Sequence, residues 1–275
     1  MTVSGVGEEC NAPGSGPGPR RVIHSMRSFV TSLALLGCVS TLAAQAPGHW
    51  PPDSLINTKV FPHKTPVMQV VGAMRNITGA LGVRCPFCHV GEEGMPLERF
   101  DFAKDEKHTK LVARQMMLMV EEINRRLDTL PEHDHMGPKL QVTCATCHRG
   151  VSRPVPLATL IEQTDSMAGA DSAVRAYRAL RERYFGRDSY DFGEASLNIA
   201  AFRIARANRF DDAFALLKLN EELFPGSSGM YVFRGNISLM RNDTAAAVAA
   251  FREAVKRDST NQEAKGRLRA LGPRP

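Results

Sequence analysis

Residues 85–89 read CPFCH and residues 144–148 read CATCH. Each sets two cysteines three positions apart and follows the second at once with a histidine. Four of the six cysteines lie in these two segments, namely Cys85, Cys88, Cys144 and Cys147. The other two, Cys10 and Cys38, precede the expected mature protein, so no thiol is left to staple the rest of the chain. A disulfide scaffold is therefore excluded.

Three chemistries use cysteines at this spacing. A thioredoxin-like redox pair needs one motif beside a βαβ pattern, and no strand-rich region accompanies these. Zinc takes two CxxC knuckles, but usually about 15–20 residues apart, and it has no need of a histidine directly after each pair. Covalent haem attachment uses every residue of the motif: each sulfur adds to one porphyrin vinyl group, and the adjacent histidine lies beneath the iron. The spacing therefore predicts two covalently bound haem c groups, with a zinc-stabilised adaptor as the alternative.

The N-terminal residues fit that chemistry, because thioether formation takes place outside the cytoplasm. Residues 1–21 are rich in Gly and Pro, and Met26 is expected to be the true start. Arg27 then gives the positive n-region, Phe29 to Leu42 the apolar stretch, and Ala43 to Ala46 the cleavage site. Pro47 disfavours a cut after Ala46, so cleavage after Ala43 or Ala44 is expected. Leu35-Leu36-Gly37-Cys38 also resembles a lipoprotein box, which would anchor the chain to the membrane through Cys38. The expected location is export to the periplasm. A net charge of +6 with dispersed Lys and Arg gives no nucleic-acid groove.

The expected fold class is all-α. Thr65 as N-cap, Pro66 at the first helical position and Gly82 as a stop bound a helix whose Val67, Val70, Val71, Met74, Ile77 and Leu81 share one face. A second helix is expected over about 109–127, with Val112, Met116, Met119, Val120, Ile123 and Leu127 as its apolar stripe. The order is helix, turn, CxxCH, twice over. From about residue 157 a self-similarity of 34 residues sets Leu197 over Tyr231, Ala201 over Gly235, Ala213 over Ala247, Leu217 over Phe251 and Pro225 over Ser259. These are packing positions of a tetratricopeptide-like repeat. VRAYRALRERYF reads as part of a degenerate earlier unit and QEAKGRLRAL as a terminal cap. The expected organisation is a leader over 1–46, a dihaem cytochrome c domain over 47–156 and helical repeats over 157–275.

The stretches AMRNITGALGVRCPFCHVGEE, FDFAKDEKHTKLVARQMMLMVEEIN and VTCATCHRG resemble the cytochrome c subunit of photosynthetic reaction centres. The resemblance spans about residues 55–155 and is most specific in VARQM and VTCATCHRG. It implies His89 and His148 as proximal iron ligands, with Met74 as the sixth ligand of the first haem and Met116 of the second. That subunit carries four haems and no helical-repeat tail, so the chain corresponds to half of its haem pattern.

The resulting expectation is an electron-transfer protein rather than a catalyst with its own substrate. Its partners would be a donor and an acceptor protein, and the repeats would dock one of them. A dihaem, peroxidase-like enzyme is the alternative that needs an open iron position. Met68, Met117 and Met119 are expected to pack, and His63, His108, His133 and His135 to be solvated. Arg84 and Arg149 flank the motifs as candidate partners for haem propionates.

Overall fold

A computed structural model of the chain describes residues 49–130 and 140–272. The leader, Met26, Cys10, Cys38, His133 and His135 lie outside these residues. The described residues fall within one compact unit. Their regular elements are helices, and one isolated antiparallel bridge joins Val90 to Asp101.

Helix α1 runs over Val67–Leu81. Pro66 adopts φ −57° and ψ 139°, so it is the cap residue itself and the helix opens one position later than Thr65 would set it. Gly82 closes α1 in the left-handed region at φ 64°, a conformation that glycine adopts without steric cost. Helix α2 covers His108–Leu127, and the short α3 covers Cys144–His148. The apolar face of α1 buries Val70, Val71 and Ala80. The C-terminal end of α1 packs on α3, with Gly150 N–H donating to Ala80 O at 2.8 Å.

Helix α4 spans Leu157–Tyr184 but breaks at Gly169, where φ 78° and ψ 172° leave the helical region. Two hairpins follow, α5 (Glu194–Arg206) with α6 (Phe210–Leu223), and α7 (Ser228–Met240) with α8 (Thr244–Arg257). Helix α9, Gln262–Leu271, ends the array. The hairpins share one register. Their tight turns place Asn208 and Asn242, at φ 61° and φ 64°, in equivalent positions, and asparagine tolerates that region. Ser227 and Asn261 cap α7 and α9 by accepting from the N–H three residues on, each at 2.9 Å.

The aligned apolar positions are the core of this array. Leu197, Ala201, Ala213, Leu217, Ala247 and Phe251 are fully buried, and Tyr231 and Gly235 are buried with them. A Cβ on Gly235 would lie 2.5 Å from the Phe251 ring, so only glycine lets α7 and α8 approach this closely. Arg209 ties α6 to α4, with Nη1 2.8 Å from the buried Asp165 carboxylate and Nη2 donating to Asp165 O at 2.9 Å.

Candidate functional site

Both cysteine motifs form a single tight turn. Cys85–Phe87 is a 3-10 turn in which the His89 and Cys88 N–H groups donate to Cys85 O at 2.9 and 3.2 Å. Cys144–His148 is one turn of α-helix, opened by Thr143 N–H donating to Thr146 Oγ1 at 2.9 Å. At positions i, i+3 and i+4 of such a turn, two thiols and an imidazole emerge on the same side. All four cysteines are free thiols. Burial pushes the Cys88 thiol up, against the opposing influence of the Thr109 hydroxyl and Lys107.

The two histidines differ. The His148 Nδ1 lies 2.9 Å from Val151 O. A carbonyl only accepts, so Nδ1 carries a proton, and Nε2 is the nitrogen left to face a metal. The His89 Nδ1 is buried without a well-formed hydrogen bond, although the Phe102 backbone offers the ring a weak one. The ring meets Phe102 edge-on, with centroids 4.9 Å apart. Burial, joined by the positive charges of Lys110, Arg114 and Lys107, pushes His89 down to about 4. At neutral pH it is uncharged, the state in which imidazole binds a metal.

Helix α2 connects the two motifs. At its start the Lys107 ammonium donates to Pro86 O and the Thr109 hydroxyl to Phe87 O, both within CPFCH. Near its end the Asn124 side chain clamps Val142, donating to Val142 O and accepting from Val142 N–H, each at 2.8 Å. Met116 sits between these two anchors. The helix is inside-out by the usual rule: its one buried residue is Lys110, while Leu111, Val112, Met116, Leu118 and Met119 are exposed. A face carrying that much apolar surface needs a covering partner. Part of it lines an open cleft of about 520 Å³ with Lys59, His108, Arg114 and Gln115.

A second open cleft, of about 610 Å³, lies beside CATCH between Ala145, Arg149, Asp188, Tyr190, Asp191 and Phe192. The loop over residues 185–193 is strapped to this motif, with Ser189 Oγ donating to Arg149 O at 2.6 Å. Arg84 instead pairs with Glu93 at 2.9 Å on the surface.

Met74 lies half-buried on α1, whose C-terminal end packs on the second motif, and Met116 lies on the open face of α2. Met68 and Met119 are exposed, unlike packed core residues, and His63 and His108 are exposed as expected. Sequence reasoning missed Lys110, Asn124, Phe102 and Ser189. Only Asn124 left a signal, as a poor helix former placed deep in a helical run. Among the described residues, no group of three or more His, Cys, Asp and Glu side chains converges as a metal site, so the two CxxC pairs do not meet at one ion. Paired thiols, an imidazole directly after each pair and an uncovered apolar helix face instead fit a flat apolar macrocycle holding iron.

No curated protein matches the chain. Residues 85–185 match a family model, and the matched stretch takes in both motifs, α2, α3 and all of α4, while α1 and Met74 lie before it. Over that stretch the chain is similar to the photosynthetic reaction centre cytochrome C subunit.

Proposed function

We propose that this chain is an exported dihaem c-type cytochrome that passes electrons between partner proteins. The observation that carries the proposal is the uncovered apolar face of α2, Leu111 to Met119, strung between two CxxCH turns. Two haems, one on Cys85 and Cys88 and the other on Cys144 and Cys147, would supply the missing apolar partner. Bound haem iron supplies one-electron exchange between its ferrous and ferric forms.

The chain's own residues do the rest. His89 and His148 would each offer a ring nitrogen to the iron of one haem, and the bond from Nδ1 to Val151 O orients the His148 ring. Met74 and Met116 would supply the thioether ligands, and methionine–histidine ligation raises the potential. Asn124 and Thr109 hold α2 in register on both motifs. Residues 47–156 act as the redox module. The hairpins from residue 157 onward act as a tetratricopeptide-like platform that holds a partner near the Arg149 cleft. Export through the 26–46 signal, with or without acylation of Cys38, places the protein on the periplasmic side, free or anchored to the membrane.

The deciding experiment is a reduced-minus-oxidised absorption spectrum combined with intact mass on protein matured in a cell that attaches haem c. Sharp bands of reduced haem c and a mass gain of two haems are expected. A colourless protein with unmodified cysteines would overturn the reading.

A further inference from the structure

The two iron sites proposed above do not share one electrostatic environment, and the inference that follows rests on that dihaem reading. Lys110 is the one buried Lys or Arg among the described residues, at 7% exposure. Its ammonium donates to the carbonyl oxygens of Phe102, Ala103 and Lys104 at 2.9, 3.1 and 2.6 Å, and it lies 2.8 Å from the Asp105 carboxylate. Arg114 takes the other oxygen of Asp105 at 2.8 Å and donates to Asn57 O at 3.1 Å. Two cations therefore share one carboxylate. Lys107 adds a third positive charge against the first motif itself, through Pro86 O. The other charges nearby, Asp101, Lys104 and Glu106, pair among themselves on the surface, where water screens them.

This cluster stands directly behind His89. Phe102, whose carbonyl accepts from Lys110, lays its ring against His89 at 4.9 Å. The Val90–Asp101 bridge, with Asp101 N–H donating to Val90 O at 2.9 Å, holds the 101–105 loop against the end of the motif. The second motif has the opposite character. His148 donates to Val151 O, which makes its ring a stronger donor to a metal, and the adjoining cleft sets two carboxylates, Asp188 and Asp191, against the single cation Arg149.

A fixed positive charge near an iron favours the ferrous form, which carries one charge less, and a more basic ligand favours the ferric form. We infer that Lys110 makes the two sites unequal, raising the potential of the haem held by Cys85, Cys88 and His89 above that of the haem held by Cys144, Cys147 and His148. An electron delivered to the second site would then pass to the first, with the second iron oxidised to ferric, the first reduced to ferrous, and no proton moved. The donor is a reduced partner protein meeting the second site, and the acceptor an oxidised one meeting the first. Lys110 is held by carbonyls of the 102–104 loop and would act through its field on the His89 side.

The test is a spectroelectrochemical titration of the full chain loaded with haem, carried out after intact mass has counted two haems. A count below two removes the dihaem reading before the inference is tested. The unmodified protein is expected to show two separate potentials. In Lys110→Met the higher one falls, so that the ferrous-to-ferric ratio of that haem at a fixed applied potential drops at least threefold, and the lower one stays. Lys110→Arg, which keeps the charge, leaves both within that limit. A shift confined to the lower potential, no shift, or equal shifts in both variants would overturn the inference. If Lys110→Met does not load both haems, Asp105→Asn decides: removing the shared counter-charge raises the higher potential, and an unmoved potential sinks the proposal.

Discussion

Residues 157–271 and residues 49–155 are built from the same kind of helix, yet they bury their apolar side chains very differently. The first region closes a continuous core from Leu157 to Ala264 around Tyr177, Leu217, Met230 and Phe251. Among its described apolar residues the second buries only Val70, Val71, Ala80 and Val151, and it leaves the long side chains of α2 open. Helical propensity does not separate them, since α2 is longer than any helix of the two hairpins. What separates them is the partner: the repeats bury their faces on one another, and α2 has no such neighbour among the described residues. In the dihaem reading proposed above, a region like the second is completed by a group that the polypeptide does not encode.

The sharpest way to break this contrast is to deny the second region that group. With Cys85, Cys88, Cys144 and Cys147 all changed to alanine, residues 49–155 are expected to lose amide-exchange protection while the 157–271 helices keep theirs. Exchange mass spectrometry would read the two regions separately, and equal protection in both would remove the distinction. Next in size are the helix-packing glycines. Gly82→Ala forces a side chain into φ 64° and puts its Cβ 2.1 Å from Gly150 O, and Gly235→Ala drives one into Phe251. Each is expected to cost about 1–3 kcal/mol by overpacking, the first seen in the melting of residues 49–155 and the second in that of the repeats. If Gly82→Ala lowers only the repeat transition, the assignment of that contact is wrong.

Removing a proposed distal ligand is a smaller perturbation. Met74→Ala or Met116→Ala should lower the potential of one haem and open that iron to carbon monoxide, leaving the helical content unchanged in circular dichroism. If neither iron gains carbon monoxide binding, the methionines are packing residues. The smallest effect concerns pH. Hydrogen bonds from Arg114, Lys110 and Asn57 hold the Asp105 carboxyl well below the usual carboxylate range. A depressed folded-state value stabilises the fold above the unfolded pKa of about 3.9, and that contribution is lost as the pH falls through the folded value. Asp105→Asn should therefore flatten the acid limb of the stability profile of residues 49–155 and leave that of the repeats alone. An unchanged acid limb would show that the Lys110 cage contributes nothing there.

The repeats were easier to read than the region that carries the CxxCH turns. A shift of 34 residues aligned Leu197 with Tyr231 and Leu217 with Phe251, and all four are buried, because each hairpin's neighbour is another hairpin with the same period. The ends of α1 were legible through Pro66 and Gly82, residues whose backbone limits are local. The two CxxCH turns were legible for the same reason. The orientation of α2 was not. Its stripe marks one face as apolar, but periodicity cannot say what covers that face, nor that Lys110 on the other side is caged by carbonyls at residues 102–104. The strap from Ser189 to Arg149 spans 40 residues of sequence and depends on where α4 ends, which no local pattern encodes. The break at Gly169 was not foreseen either, because a lone glycine in a helical run is as often tolerated as disruptive.

The bare backbone contact between Gly82 and Gly150 sets how stiffly the module holds its shape. With no side chain on either residue, the end of α1 rests directly on the chain that leaves the second motif, joined by the bond from Gly150 N–H to Ala80 O at 2.8 Å. Two peptide planes in contact cannot slip as two long side chains can. In the dihaem reading, a change of charge at one site would then shift few atoms at the other, and an electron would cross a framework that scarcely rearranges around it.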